Sequence, residues 1–518
     1  MLSTTIKHIV IVGGGSAGWL VAGVLAAEHG AASPEGLRIT LVESPDVPAI
    51  GVGEGTWPTM RDTLRKIGVS ETDFFRECDA AFKQGSRFDG WVDGSAGDCY
   101  FHPFVLPHGY GDADLAARWQ ERYADIPFAD LVSFQPHLCV NGRAPKQAST
   151  PEYASVANYG YHLDAGKFGV FLRKHCVGKL GVTHISDHVL SVNASSNGDI
   201  ASLATAHHGA IEGDLFIDCS GMQSVLLGKH YGVALQSQKH ILFNDSALAV
   251  QVPYPAPDSP IASQTTSTAQ ASGWIWDIGL PTRRGIGHVF SSAHSSDAQA
   301  EQALRRYIIA SGGPEDIAPP RKLTFQPGYR KQFWHRNCVA IGLSAGFIEP
   351  LEASALALVE LSVAMLSDDM PATREAMEIV ARRFNEAFTY RWERVIDFLK
   401  LHYVLSRRTD SDYWSDNRDS ATIPPRLAEL LTLWRHRAPS RNDLNRIEEV
   451  FPSASYQYVL YGMGFRTEPG AMARRAGHGA LADSFFQQAG ALTRKMLPAL
   501  PGNRELLDHV RERGFLNI

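Results

Sequence analysis

Gly13, Gly15 and Gly18 stand in G-x-G-x-x-G spacing, and Glu43 follows 25 positions after the last of them. Residues of these types so spaced suit the binding of a dinucleotide. The first glycine permits a tight turn, the second lets backbone approach a pyrophosphate, and the third lets a helix pack closely on a strand. A carboxylate at the position of Glu43 suits the ribose hydroxyls. Particular elements must hold these residues. The apolar run Ile9-Val10-Ile11-Val12 reads as a buried strand, and the Ala/Leu/Val-rich run from Trp19 to Glu28 as a helix. Leu37-Arg38-Ile39-Thr40-Leu41-Val42 reads as a second strand delivering Glu43. Ser16 and Ala17 fall in the turn itself, where free N–H groups at a helix start would receive the pyrophosphate. Glycine-rich turns also arise for structural reasons alone; the flanking strand, helix and acidic strand end together favour the dinucleotide.

Three later stretches are also marked by glycine, a loop and two strand ends. Ala49-Ile50-Gly51-Val52-Gly53-Glu54-Gly55 forms a glycine-rich loop, and Leu215-Phe216-Ile217-Asp218-Cys219-Ser220-Gly221 a second strand-to-glycine element. Cys338-Val339-Ala340-Ile341-Gly342-Leu343-Ser344-Ala345-Gly346 is a third. A site assembled from such distant segments suits a long flavin dinucleotide, FAD, better than NAD. Gly53, Glu54 and Leu343 are then cofactor contacts, with Val189 from the β-like region 182–192. No second G-x-G-x-x-G follows a strand, so reducing power is expected to arrive from elsewhere.

The bulk properties narrow the class. The chain has 518 residues, 44% apolar and 20% charged, with a net charge of −6, which gives no electrostatic case for nucleic acid or an anionic membrane. Its six cysteines show no C-x-x-C or zinc spacing, so reduced cytosolic thiols and no metal are expected. The first strand begins almost at the N-terminus, which disfavours a cleavable signal peptide. The apolar stretch 353–366 is too short to cross a bilayer and contains Glu360. A cytoplasmic, soluble protein is the expectation. Helices are expected at 59–67, 168–175 and 373–406, and a largely antiparallel layer over 225–335; prolines discourage long helices across 95–160. The fold class is α/β: a Rossmann-like FAD-binding module over 1–370 with an interleaved substrate-side β layer, then a mostly helical region over 371–518 covering the substrate site.

With these pieces in view, the chain resembles the flavin-dependent tryptophan halogenase family. The resemblance is carried by Gly13-Gly14-Gly15-Ser16-Ala17-Gly18-Trp19, Gly51-Val52-Gly53-Glu54-Gly55-Thr56, Ala81-Phe82-Lys83 and Trp274-Ile275-Trp276-Asp277-Ile278. It continues in Glu349-Pro350-Leu351-Glu352 and Asp397-Phe398-Leu399-Lys400-Leu401-His402-Tyr403, in the family's order over about the first 400 residues. The resemblance implies an FAD-binding fold of the flavin monooxygenase type. It also implies that FADH2, O2 and chloride or bromide yield hypohalous acid, which travels through an internal tunnel to Lys83. Glu352 would stabilise the arene cation or take its proton, Ser354 and Ala355 would hold halide through backbone N–H groups, and Leu356 would lie against the flavin. A small aromatic, indole-type substrate, a separate NADH-dependent flavin reductase and a homodimer are implied as partners. Two departures stand out: Ala353-Ser354-Ala355 replaces the family's Ser-Thr-Gly, and Gly279 replaces a proline after Ile278. The rival readings are an FAD-dependent aromatic monooxygenase, which needs neither Lys83 nor a halide loop, and a non-catalytic flavoprotein.

Overall fold

The computed structural model describes residues 5–47, 53–444, 446, 449–468 and 479–516; Ala49, Ile50, Gly51 and Val52 of the glycine-rich loop lie outside them. The chain divides into two compact units: Met1–Ala80 with Leu163–Gln238 and Gln326–Trp392, and Ala81–His162 with Lys239–Phe325 and Glu393–Ile518.

The first unit is built on a six-stranded sheet whose central strand, His8–Val12, is buried along its whole length. This explains its unbroken apolar sequence: a parallel strand covered on both faces has no solvent side. Arg38–Glu43 pairs with it on one edge and Leu215–Asp218 on the other, both parallel. Cys338–Ala340 and Thr183–Ser186 extend the parallel set outward, and Trp334–His335 closes one side antiparallel. Strand order therefore reverses at His8–Val12, and ligands of such sheets bind beyond the strand ends at that point. The helix Ser16–Glu28 packs against Ala165–Lys179 and Ser354–Asp368. The expected helix at 59–67 is Thr59–Lys66, and the expected one at 168–175 extends to Ala165–Lys179.

The second unit centres on a seven-stranded sheet. Its order is Arg321–Thr324, Ser246–Pro253, Arg283–Phe290, Gly273–Gly279, Thr265–Gln270, Gly85–Asp89 and Cys99–Pro103. Pairing is antiparallel throughout except for Ser86–Asp89 beside Thr265–Thr268. The antiparallel layer expected over 225–335 is present and recruits two strands from the region before residue 104, a long-range pairing that local pattern does not reveal. One face is covered by Asp297–Ala310, whose Ala300, Leu304 and Ile308 pack on Leu248, Val252, Ile275 and Ile286. Across 95–160 the prolines do limit helix length, to Leu115–Arg122, Phe128–Val132 and Gln135–Val140. Among the described residues no helix is long and apolar enough to cross a membrane, and no cluster of His, Cys, Asp or Glu is arranged to hold a metal ion.

Candidate active site

In the first unit, the glycine turn sits at the carboxyl end of the central strand. Gly13 has φ +113°, and a Cβ there would stand 2.2 Å from the Cys219 carbonyl oxygen. A Cβ on Gly18 would stand 1.9 Å from the Gly13 oxygen, and one on Gly14 would collide with the Glu43 side chain. These three glycines are required by the protein's own packing. Gly15 differs: its φ is −74°, and a Cβ there would meet nothing within 4 Å. It is the N-cap of Ser16–Glu28 and supplies no side-chain acceptor, so the first N–H groups of that helix have no capping side chain. An open cradle at an uncapped helix start, at the sheet's switch point, fits a dinucleotide pyrophosphate.

Of the other predicted flavin contacts, Glu43, Val189 and Leu343 lie on segments that meet this end of the sheet. Glu43 Oε2 is 3.0 Å from His184 Nε2 and 3.8 Å from Arg173, so its carboxylate is oriented by two basic side chains. The Asp187 N–H donates to the Glu43 carbonyl at 2.9 Å, bringing the strand that starts at Val189 to the same end of the sheet. The turn Gly342–Ser344, which contains Leu343, lies against Ala17: a Cβ on Gly342 would come within 2.8 Å of the Ala17 Cβ. Asp218, by contrast, is spent internally, accepting from the Ser220, Leu226 and Leu227 N–H groups and from the Ser220 and Ser224 hydroxyls. Gly53 has φ +92°, and Glu54, part-buried in the short strand Glu54–Gly55, is raised by desolvation to about 7.

Glu352 and Ala353 carry unusual backbone. Both are non-glycine residues in the left-handed region, at φ +63° and +55°. Such conformations cost on the order of 1–3 kcal/mol each and persist where surrounding structure enforces them. Part of the enforcement is visible: Trp57 Nε1 donates to the Glu352 carbonyl at 2.7 Å, and the Ala353 N–H donates to the Pro350 carbonyl at 2.9 Å. The helix Ser354–Asp368 starts immediately after, with no side-chain cap and no acidic residue in its first turn. Ser354, Ala355 and Leu356 thus occupy a helix start whose N–H groups and dipole favour an anion.

Lys83 belongs to the second unit. Its strand Ala81–Lys83 pairs antiparallel with Gly160–His162, so Phe82 and Lys83 point to opposite faces. Phe82 packs edge-on against Tyr159 at 5.1 Å and lies 6.4 Å from Phe515. Lys83 is 1% exposed, with Nζ 5.4 Å from the centroid of the Phe104 ring. Phe104 is itself held by its N–H donating to the Gln84 carbonyl at 3.2 Å. His162 lies diagonally across from Lys83 on the same face and contacts Thr265 Oγ1 at 2.9 Å. Burial first, and the Lys83 charge second, hold its imidazole neutral, well below the usual histidine range. The Trp274–Trp276 motif occupies the strand Gly273–Gly279, with the Trp276 ring seated over Gly287.

Trp57, Glu360 and His162 were not singled out by sequence reasoning as functional. A carboxylate in the middle of an apolar helical run was the available signal for Glu360, and the flanking Tyr161-His162-Leu163-Asp164 the signal for His162.

The family model of tryptophan halogenase matches residues 8–477. The chain is 31% identical over 524 residues to the 7-chloro-L-tryptophan 6-halogenase KtzR of Kutzneria sp. (strain 744), covering 97% of this chain and 99% of that one. It superposes on a crystal structure of a tryptophan halogenase from Shewanella frigidimarina NCIMB 400 with TM-score 0.96 and 50% identity, over the whole of both chains. BrvH, a flavin-dependent halogenase from Brevundimonas sp. BAL3, matches with TM-score 0.86 and 33% identity, over 97% of this chain and 99% of that one. The chain belongs to the tryptophan halogenase family of flavin-dependent halogenating enzymes.

Proposed function

We propose that this enzyme uses FADH2, O2 and chloride or bromide to halogenate an electron-rich, indole-type arene. The observation that carries the reading is the buried lysine of a family halogenase, Lys83, walled by Phe104 and accompanied by a neutral histidine. The overall reaction balances as ArH, X−, H+, O2 and FADH2 giving ArX, FAD and two waters. The bound reduced flavin supplies, with O2, the two-electron oxidation that turns halide into hypohalous acid. Gly15, Ser16 and Ala17 bind its pyrophosphate on the turn that Gly13 and Gly18 make possible, Glu43 binds its ribose, and Gly53, Glu54, Val189, Leu343 and Leu356 complete the cradle. The helix-start N–H groups of Ser354 and Ala355 hold the halide. Lys83 Nζ retains the hypohalous acid, by hydrogen bond or as a haloamine, and presents electrophilic halogen to a ring carbon. Glu352 stabilises the resulting arene cation or accepts the proton it loses. A separate NADH-dependent flavin reductase supplies FADH2, and residues of 371–518 cover the substrate.

The test is mass spectrometry of indole and tryptophan incubated with enzyme, flavin reductase, FAD, NADH and bromide or chloride. A product with the halogen isotope pattern, formed only when halide is present, is expected. An oxygenated product formed regardless of halide overturns the reading.

A further inference from the structure

Glu360 is a carboxyl sealed inside the first unit, only 5% exposed, on the helix that opens at Ser354. Its two oxygens are both engaged by one neighbouring helix. Thr59 Oγ1 donates to Oε2 at 3.1 Å, and Thr63 Oγ1, one turn further on, donates to Oε1 at 2.5 Å. Burial raises its carboxyl to about 8, so a neutral carboxyl is accommodated here. A packing role alone would be met by leucine, which needs no partners; burying a carboxyl instead is costly unless its hydrogen bonds do something.

What they do follows from where the two helices lead. Thr59–Lys66 follows directly from the segment containing Gly53, Glu54 and Trp57. Ser354–Asp368 follows directly from the left-handed pair Glu352-Ala353. These same segments meet a second time, where Trp57 Nε1 donates to the Glu352 carbonyl at 2.7 Å. Glu360 lies six residues beyond Ser354, about 9 Å along the helix axis. One hydrogen bond between two segments acts as a pivot. Two ties separated by that distance fix rotation as well as contact, so a displacement at either segment is carried to the other.

We infer that Glu360 is a positioning residue that locks the helix start at Ser354-Ala355 in register with the Gly53–Trp57 segment, so that halide binding and flavin binding favour one another. The inference rests on the proposed assignment of halide to Ser354-Ala355 and of flavin to Gly53-Glu54. By linkage, any such coupling is reciprocal.

The experiment is equilibrium titration of the protein with FAD, followed by fluorescence, with and without bromide at constant ionic strength. Wild type is expected to bind FAD about fivefold more tightly in bromide, a coupling in the ordinary range. Glu360→Gln, whose amide oxygen accepts from one threonine hydroxyl while its NH2 donates to the other, is expected to retain that ratio, and Glu360→Leu to bring it to one while still binding FAD. Should Glu360→Leu fail to fold, the Thr59→Val/Thr63→Val double variant cuts the same tie from the other side and is expected to abolish the ratio. A ratio unchanged in Glu360→Leu or in the double variant, or a wild type whose FAD affinity ignores bromide, overturns the inference. The underlying halide assignment is judged separately: it fails if bromide leaves the thermal midpoint of the flavin-free wild type unmoved.

Discussion

Ala353 adopts φ +55°, ψ +44° at the entrance to a buried helix, a conformation that glycine enters without penalty and alanine does not. Ala353→Gly is therefore expected to stabilise the folded protein by about 1 kcal/mol, offset in part by glycine's greater freedom when unfolded. Urea unfolding of the two proteins checks this, and a destabilised glycine variant would show that the backbone there is unstrained. Sequence reasoning placed Glu352 correctly beside a helix start but could not show this conformation. Alanine is a strong helix former, and nothing in Leu351-Glu352-Ala353-Ser354 advertises a left-handed pair. The conformation is imposed by non-local partners such as Trp57, which lies 295 residues away in sequence. Lys83 was legible only through its family resemblance: a lysine in an Ala-Phe-Lys strand is ordinarily exposed, and here it is buried with the Phe104 ring near its Nζ.

The strand–turn–helix around Gly13 to Gly18 was fully legible, because local chemistry and tertiary use coincide there. The structure adds a division of labour among the glycines. Gly18→Ala would place a methyl within 1.9 Å of a carbonyl oxygen, so it is expected to abolish or severely destabilise the fold. Gly15→Ala has ordinary φ and free space, so its thermal midpoint should match wild type while its FAD affinity falls at least about tenfold, the methyl intruding on the pyrophosphate. FAD binding to Gly15→Ala at wild-type strength would remove the pyrophosphate from this cradle. The helix over 374–405 and the two short strands Thr183–Ser186 and Val189–Ala194, which join different sheets, were also legible, each from a pattern contained in one segment. The parallel pairing of Ser86–Asp89 with Thr265–Thr268 was not, since it joins segments far apart in sequence.

At the scale of the whole molecule, buried histidines set an acid limit to stability, His288 and His8 among them. His288, 1% exposed, donates Nδ1–H to the Ala300 carbonyl and is lowered by burial from 6.5 to about 4. His8 is lowered to about 4 by burial and by the adjacent Arg38. Each stays neutral in the folded protein while its unfolded counterpart takes up a proton near pH 6.5. Their contribution is thus complete above about pH 6.5 and is lost as pH falls towards 4; for His288 the loss is about 3 kcal/mol. His288→Leu is expected to flatten this part of the unfolding free energy against pH, and a slope identical to wild type would show that His288 titrates normally.

The division of the chain into two interleaved units was hidden from composition, which shows no break at residues 80, 162, 238, 325 or 392. Family membership, by contrast, reaches across both units, because the matched residues 8–477 include the glycine turn, Lys83 and Glu352 alike. The assignment of halogen transfer to Lys83 is tested most directly by comparing wild type with Lys83→Met in bromide, measuring halogenated indole and trapped free hypobromous acid in the same reaction. The expected result is hypobromous acid formed by both proteins, with arene product reduced about a hundredfold or more in the variant. Brominated indole formed by Lys83→Met at the wild-type rate would contradict it.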